Sequence, residues 1–391
     1  MKLKPFLYCA PALLTLSGTA FGQCYLPTHV ISEVQGTGAN SSMVDETVTL
    51  QAVVTKVLPA LNGYMIQEEL ADEDGDPASS EGLFVYDRDN SPSVGDVVAV
   101  EGVVDEYYDL TQLKSLSSYE VCETGATVAA TEVSLPFSAA DDLEKYEGML
   151  ITFPQALTVT ETYSLARYGQ VSLSSSGKLP NPTQVAAPGD DANLQKAANE
   201  LNVVVMDDGS NAQNPTVSYP GFGDLTYDNP IRGGYTVTGL TSVVNYSYGS
   251  YTLVPAADVV FEAANARSAT PESVGGEFKV AGFNVLNYFT TLKSAGSEIC
   301  GDGDTNCRGA DDEAEFERQN AKLMSALSAI NADIFGLIEI ENNADDTAVA
   351  TLVDNLNGIV GADTYDYIKT GMLGDDAIKQ ALIYKPAKVV P

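Results

Sequence analysis

The segment "DIFGLIEIENN" (Asp333–Asn343) ends an apolar run with two carboxylates, Glu339 and Glu341. A short apolar run bounded by polar residues is typical of a buried β-strand. Because alternate residues of a strand share a face, the pattern predicts that Glu339 and Glu341 point the same way. Acids at a strand end are candidate metal ligands, and the alternative is that they simply leave the core for solvent.

The sequence around this segment alternates between strand and helix patterns. "EFKVAGFNVLNYF" precedes it as a second buried strand, and apolar residues at helical spacing predict helices over 312–330 and 345–356. "TYDYIKT" and "AIKQALIYKP" predict further strands. The order predicts an α/β layered domain over residues 277–391. Loops after the strands of such a domain line its crevice, so Asn284 and Glu339 are candidate site residues. Glu339 could hold Mg²⁺ or Mn²⁺, and Asn284 could orient a phosphate oxygen or a water on the metal.

Two β-rich blocks precede this domain, and a Ser-, Pro- and Gly-rich linker is expected at residues 264–276. Short β-branched runs between turn residues predict two all-β, barrel-like modules over 23–128 and 129–263. "VVAVEGVVDEYYDLTQL" and "YTVTGLTSVVNYSYGSYTL" align through Gly102 and Gly239. This internal repeat favours a duplicated Greek-key barrel, and chance similarity of β-rich sequences is the alternative.

The charge of the chain restricts its partners. Its 391 residues include 20 Lys and Arg against 54 Asp and Glu, a formal net charge of −34. Phosphate neutralisation by Lys and Arg supplies most non-specific affinity for nucleic acid, so the charge argues against a broad electrostatic DNA-binding surface. A nucleic-acid enzyme of this charge would depend on a local site and on divalent cations.

The N-terminus predicts export. Lys2 and Lys4 precede a short apolar stretch, and Ala20 and Gly22 suit cleavage before Gln23, which makes residues 1–22 a signal peptide. No later segment is apolar enough to cross a membrane. We therefore expect a secreted chain with no membrane span, and the sequence indicates no obligate protein partner.

Four cysteines remain after the signal peptide, and an even number in an exported protein predicts disulfides. Three pairings are possible. We favour Cys300–Cys307, which closes the short loop "CGDGDTNC", together with Cys24–Cys122, which ties the N-terminal arm to the first module. A zinc site is the weaker alternative, because there is no CxxC motif and the only histidine is His29.

Acidic loops and tyrosine-rich strands are two further candidate ligand-binding features. "DEDGDPASSEG" has alternating carboxylates that suit Ca²⁺, and a solvated acidic loop is the alternative; the carboxylates are Asp72, Asp74, Asp76 and Glu81. "GDGDTN", with Asp302, Asp304 and Asn306, follows the same logic. Five tyrosines could stack against bases or sugars, although cross-strand packing is the commoner role; they are Tyr107, Tyr108, Tyr246, Tyr248 and Tyr251.

The motifs "FNVLNYF", "CRGAD" with "FERQ", and "LIEIEN" make the chain resemble a known superfamily. They are similar to the endonuclease/exonuclease/phosphatase (deoxyribonuclease-I-like) superfamily, and in particular to secreted bacterial nucleases with OB-like β modules before the catalytic domain. The resemblance extends from the signal peptide to the last residue. It implies metal-assisted hydrolysis of phosphodiester bonds in DNA, or in RNA, in which a His–Asp pair activates water.

The resemblance also implies roles for individual residues. Asn284 matches the Asn of the family's first catalytic strand, and Glu339 matches the Glu that coordinates Mg²⁺ or Mn²⁺. Asn287, Arg318, Glu341 and Asn342 are supporting candidates.

The chain departs from the family in one respect. The family's catalytic histidines and its closing Asp–His pair have no counterpart, since His29 lies in the N-terminal arm. We therefore expect a nuclease cut off partway through an incomplete catalytic domain and inactive as it stands. A non-catalytic secreted protein that binds nucleic acid or glycan is the first alternative. A phosphomonoesterase or phospholipase C-like member of the superfamily is the second.

Overall fold

A computed structural model describes Cys24 and residues 26–293, 299–300 and 305–391. The chain divides into two compact units, the first ending at Ala266 and the second beginning at Arg267. This boundary falls inside the expected linker, and residues 263–279 form neither helix nor strand. The expected signal peptide, residues 1–22, lies outside the described residues, as do Asp302 and Asp304.

Five strands of the first unit form a closed barrel. They are β1 (Thr47–Leu58), β2 (Gly63–Gln67), β3 (Gly82–Tyr86), β4 (Val97–Tyr107) and β5 (Leu110–Glu123). Their order around the barrel is β1–β2–β3–β5–β4, and only β3 and β5 pair in parallel. Alternate apolar side chains fill the interior, and Ile31 and Val34 of the short helix α1 (Ile31–Gln35) join them. Burial of this apolar interior stabilises the barrel.

A seven-stranded sheet follows in the same unit. Its strands are β6 (Thr131–Glu132), β7 (Leu150–Glu161), β8 (Val171–Ser174), β9 (Val204–Met206), β12 (Thr236–Ser247), β13 (Ser250–Pro255) and β14 (Phe261–Glu262). A separate two-stranded sheet consists of β10 (Ser218–Tyr219) and β11 (Gly223–Asp224). Pairing of β12 with β7 closes five of the seven strands into a ring, in the order β7–β8–β9–β13–β12.

The two rings have the same topology. Each joins its third and fifth strands in parallel and all other neighbours antiparallel. The two segments that align in sequence lie on equivalent elements, since Gly102 is in β4 and Gly239 is in β12. This shared topology supports the duplication inferred from the sequence.

Both modules are mostly β, as expected, but the second also contains helices that the sequence pattern did not predict. Helices α2 (Leu165–Tyr168), α3 (Pro182–Val185) and α4 (Asp190–Leu201) lie between its strands. The α4 sequence "DDANLQKAANEL" is rich in good helix formers. Asp190 and Asp191 in its first turn also complement the helix dipole.

The rings are joined by an apolar cluster and by backbone contact. Leu58, Met65 and Phe84 of the first ring cluster with Val243 and Val254 of the second. Four hydrogen bonds cross the junction among the described residues. In two of them the donor is a backbone N–H: that of Thr111 donates to Glu147 Oε1 at 3.0 Å, and that of Leu150 donates to Gln67 Oε1 at 2.7 Å. The rings therefore pack as one compact unit.

The second unit is a four-stranded mixed sheet with two long helices. The sheet contains β15 (Val280–Tyr288), β18 (Ile334–Glu341), β19 (Asp366–Tyr367) and β20 (Ile378–Tyr384) in the order β15–β18–β20–β19. A small hairpin, β16 (Ile299–Cys300) and β17 (Thr305–Asn306), precedes the helices α5 (Glu313–Ile330) and α6 (Thr347–Val360). Asp312 begins α5 as its N-cap, because its side chain accepts from the Glu315 backbone N–H.

Only one face of this sheet is covered within the described residues. Leu327 of α5 and Leu352 of α6 pack with Phe335 and Leu337 on that face. On the opposite face the apolar side chains of Val280, Ile338 and Leu382 are exposed by 68%, 42% and 49%. Exposed apolar residues on neighbouring strands form a patch of the kind that usually contacts another surface.

Two disulfides occur, Cys24–Cys122 and Cys300–Cys307, which is the pairing favoured from the sequence. Disulfides persist in oxidising compartments, so both are consistent with a secreted protein. None of the helices among the described residues is long and apolar enough to cross a membrane.

The Cys300–Cys307 bond can be tested by mass spectrometry. Trypsin cleavage after Lys293 and Arg308 releases both cysteines in one peptide. Without reduction, this peptide should be lighter by two hydrogens than the reduced form and should resist alkylation. Two alkylated thiols in the unreduced sample would show that the bond does not form.

Candidate functional site

Glu339 projects from a β-bulge near the end of β18. Leu337 pairs with Ala381 and Ile340 pairs with Lys379, so Ile338 and Glu339 together face one residue of β20. Glu339 has a left-handed backbone, with φ +66°. The bulge interrupts the side-chain alternation from which a shared face of Glu339 and Glu341 was predicted, so that shared face stays a prediction. The two carboxylates have different partners, since Glu339 accepts from Asn284 and Glu341 accepts from Thr290 and Thr291. Bulges often re-aim a side chain next to an active site.

Asn284 lies on the neighbouring parallel strand β15 and contacts Glu339 directly. Its Nδ2 donates to Glu339 Oε1 at 2.7 Å, and its Oδ1 accepts from the Leu286 backbone N–H at 2.7 Å. Because a backbone N–H can only donate, the second bond fixes the amide so that Nδ2 faces Glu339. Among the described residues, none donates to Oε2 of this half-buried glutamate. The structure thus brings together the two principal candidates from the sequence.

Helix α5 fixes the backbone beside Asn284. Leu286 and Asn287 are left-handed, with φ +57° and +49°. Gln319 Nε2 donates to the Val285 and Leu286 carbonyl oxygens at 3.0 and 2.6 Å. Its neighbour Arg318 is exposed and forms a long ion pair with Glu315, at 3.9 Å. Asn287 thus follows Asn284 closely in the sequence, whereas no contact in the described part of the chain joins Arg318 to Asn284 or Glu339.

Glu341 and Asn342 have supporting positions. Glu341 is 1% exposed, and its Oε2 accepts from the Thr290 backbone and hydroxyl and from the Thr291 backbone, at 2.7, 3.0 and 3.1 Å. Asn342 is fully buried and donates to the Leu373 and Asp376 carbonyl oxygens. Both residues anchor loops after strands, and neither contacts Asn284 or Glu339.

A buried ion pair near the same strand end was missed in the sequence. Lys379 Nζ donates to Asp346 Oδ1 at 2.5 Å and to the Gly371 carbonyl oxygen at 2.6 Å. The Lys379 side chain is 1% exposed and that of Asp346 is 7% exposed. Lys379 alternates with Ala377, Ala381 and Ile383, so strand periodicity alone places it on the buried face, where a lysine needs a partner.

In the acidic loop of the first unit, carboxylates accept hydrogen bonds from the loop's own backbone. Asp74 Oδ1 accepts from the Asp76 backbone N–H at 2.6 Å, and Asp76 Oδ1 accepts from the Ala78 backbone N–H at 3.0 Å. Asp72, Asp74 and Asp76 are exposed, whereas Glu81 is 5% exposed and burial raises its pKa to about 7. In the described part of the chain, no group of three or more His, Cys, Asp or Glu side chains is arranged to hold a metal. Calcium binding by this loop stays a prediction.

The donor set at Glu339 fits a different kind of cation. Mg²⁺ and Mn²⁺ are held by one or two carboxylates and otherwise by water and substrate phosphate, not by a protein cage. A half-buried carboxylate with one oxygen free of described donors, beside a fixed amide, meets that requirement. His29, the single histidine, hydrogen-bonds to Thr28 in the first unit.

Comparison with known proteins identifies one domain. A family described only as a domain of unknown function, DUF8508, matches residues 120–265. The match contains all seven strands of the second sheet of the first unit. No curated protein matches the chain.

Proposed function

We propose that the chain is a secreted, metal-dependent nuclease whose second unit belongs to a deoxyribonuclease-I-like domain hydrolysing phosphodiester bonds of DNA or RNA. The observation that carries this proposal is the Asn284–Glu339 hydrogen bond at the carboxyl ends of two adjacent parallel strands. Ligand sites of α/β layered folds lie at this position. The uncovered apolar face of β15, β18 and β20 is a second support, because the superfamily's layered fold packs another sheet there.

The residues present would hold and orient the reacting groups. Glu339 would hold Mg²⁺ or Mn²⁺, and Asn284 would orient its carboxylate. The cation would polarise a phosphoryl oxygen and neutralise developing charge. The Leu286 backbone N–H keeps the Asn284 amide in one orientation, and that amide keeps the carboxylate of Glu339 in place. The sequence has no histidine after His29 for proton transfer, so we expect this chain to bind metal and phosphate much better than it hydrolyses them.

Glu339→Gln is expected to weaken Mn²⁺ binding at least about tenfold while leaving the fold intact. Glutamine retains the oxygen that accepts from Asn284 but loses the negative charge that attracts a divalent cation. The measurement is paramagnetic broadening of the Asn284 side-chain amide NMR signal during a Mn²⁺ titration. Glu317→Gln, at an exposed position of α5, is the matched control.

A short phosphorothioate oligonucleotide tests the substrate class in the same titration. If the cation is shared between Glu339 and phosphate, the oligonucleotide should tighten Mn²⁺ binding, and Mn²⁺ should tighten oligonucleotide binding by the same factor. Equal Mn²⁺ affinity of wild type and Glu339→Gln would remove the metal site. Absence of coupling to the oligonucleotide would remove the phosphodiester substrate.

A further inference from the structure

A cleft of about 740 Å³ lies in the first unit where its two rings meet. The 3₁₀ turn after β1 (Pro59–Leu61), strands β3 to β5 and the β4–β5 turn form one side of it. The β12–β13 hairpin forms the other. Its lining is strongly aromatic, with five tyrosines: Tyr86, Tyr107, Tyr108, Tyr246 and Tyr248. A cleft of this size, with aromatic walls and a few polar groups, is typical of a ligand site.

Equivalent turns of the two rings each present a tyrosine to this cleft. In the first ring the turn residues are Tyr108 and Asp109, with φ +50° and +66°, and in the second they are Tyr248 and Gly249, with φ +51° and +78°. Both are two-residue hairpin turns with left-handed residues at both positions, where Asn or Gly is normally preferred at the first. Tyr108 and Tyr248 are nevertheless 76% and 87% exposed. A strained position occupied by an exposed aromatic side chain suggests a functional cause, because packing in the fold does not compensate for the strain.

Of the other three tyrosines noted in the sequence, two pack against each other across strands and one exposes its ring in the cleft. Tyr246 and Tyr251 are cross-strand partners, with ring centroids 4.8 Å apart, which is the packing role considered above. Tyr107 contacts Tyr108 edge to face at 4.8 Å and is 59% exposed. Tyr107, Tyr108 and Tyr248 therefore offer accessible ring surface.

The cleft wall contains an unsatisfied hydrogen-bond acceptor. Asn245 lines the cleft and is 4% exposed, and its Oδ1 has no partner among the described residues. A buried acceptor without a donor is costly, so its presence in a cleft wall points to a ligand that supplies a donor. A sugar hydroxyl can donate to this oxygen, as can the N–H groups of a base, whereas an ionised phosphodiester group cannot.

The charges around the cleft disfavour an anionic ligand. Arg88 and Lys114 are the cationic side chains of its lining, and Lys114 is already paired with Asp105 at 2.7 Å. Burial first, and then the nearby charge of Asp109, raise the pKa of Tyr246. Single-stranded nucleic acid is bound through a positively charged groove together with stacking. Here stacking surfaces are present, but beyond the Lys114–Asp105 pair the lining has one positive charge, Arg88, which is less than such a groove provides.

We propose that this cleft binds an uncharged polysaccharide, with sugar faces stacked on the two turn tyrosines and a sugar hydroxyl donating to Asn245. Small Greek-key barrels bind oligosaccharides as well as oligonucleotides through such loops. Tyrosine provides a rigid apolar ring together with a polar hydroxyl, and both suit the apolar faces and hydroxyl rim of a sugar. This inference concerns the first unit and does not depend on Glu339.

Tyr108→Asn and Tyr248→Asn test the proposal, because asparagine suits the turn and removes only the ring. The full chain is titrated by calorimetry with soluble β-1,3-glucan, β-1,4-glucan, α-1,4-glucan and galactomannan. Wild type should bind at least one of them with a Kd below about 1 mM, each variant should bind about tenfold more weakly, and the double variant about a hundredfold. Tyr163→Asn, at a tyrosine 90% exposed outside the cleft, should bind as wild type. Both turn variants should melt at or above the wild-type temperature.

Three outcomes would overturn the proposal. Wild type would bind none of the four polysaccharides, or it would bind one of them while both turn variants retained full affinity. Alternatively, an oligothymidine probe would bind through the two tyrosines, with strong salt dependence, while no polysaccharide did, and the cleft would then be a nucleic-acid groove. Glu339→Gln should leave polysaccharide binding unchanged, which separates this test from that of the nuclease proposal.

Discussion

Gly82→Ala is expected to destabilise the first unit by about 3 kcal/mol, because the two rings touch through their backbones at this residue. A Cβ atom on Gly82 would lie 2.2 Å from the Gly148 carbonyl carbon and 2.3 Å from the Met149 nitrogen. Backbone atoms cannot rotate away as a side-chain end can, so the rings must separate. The Thr111–Glu147 and Leu150–Gln67 hydrogen bonds would then lengthen.

Calorimetry of the full chain would measure this effect as a melting temperature lower by roughly 6–10 °C for the first unit. Hydrogen exchange should increase at the Thr111 and Leu150 amides. Gly38→Ala is the matched control, since nothing lies within 4 Å of its Cβ position, and we expect a change below about 0.5 kcal/mol. Similar melting of the two variants would show that the backbones are not in contact at Gly82.

Glu147→Gln is expected to stabilise the first unit increasingly as the pH rises, by about 3 kcal/mol more at pH 8 than at pH 5. Glu147 is 2% exposed, and its burial, followed by the nearby charges of Glu144 and Glu106, raises its pKa to about 8. The Thr111 backbone N–H and the Tyr251 hydroxyl face it as well, at 3.0 and 3.4 Å from its two oxygens. Glutamine has the shape of the protonated acid and cannot ionise.

The sign of this pH dependence follows from whether the folded or the unfolded chain binds the Glu147 proton. Below about pH 4 the carboxyl is protonated in both states and contributes no pH dependence. Between pH 4 and 8 the unfolded chain releases the proton while the folded chain retains it, so wild-type stability falls as the pH rises. Burial also raises the pKa of Glu68, to about 7, so Glu68 lowers stability at high pH as well. Because wild type and Glu147→Gln both contain Glu68, its effect cancels in their difference.

Urea denaturation at pH 5, 6.5 and 8, at one ionic strength, would measure the difference between wild type and variant. Glu132→Gln, at an exposed position, is the control and should show no pH-dependent difference. A wild-type-to-Glu147→Gln difference that stayed constant with pH would mean that Glu147 titrates normally in the folded state.

Local pattern was enough to predict most elements of the second unit. Apolar residues at helical spacing predicted helices over 312–330 and 345–356, and α5 and α6 occupy Glu313–Ile330 and Thr347–Val360. The buried strands around Asn284 and Glu339 were equally visible, because a continuous apolar run is a property of neighbouring residues. The two segments of the β blocks that align in sequence likewise lie on equivalent strands of the two rings.

Tertiary contacts decided the details of the site and the cleft. Alternation predicted that Glu339 and Glu341 point the same way, but it could not predict the bulge opposite β20 or the hydrogen bond between Glu339 and Asn284. The pairing of Lys379 with Asp346, the burial of Glu147 and the meeting of Tyr108 with Tyr248 at one cleft all join residues far apart in the chain. Periodicity reports which face a side chain takes, but bulges, junctions and burial depend on which strands come to lie side by side, and that is settled only when the whole unit packs.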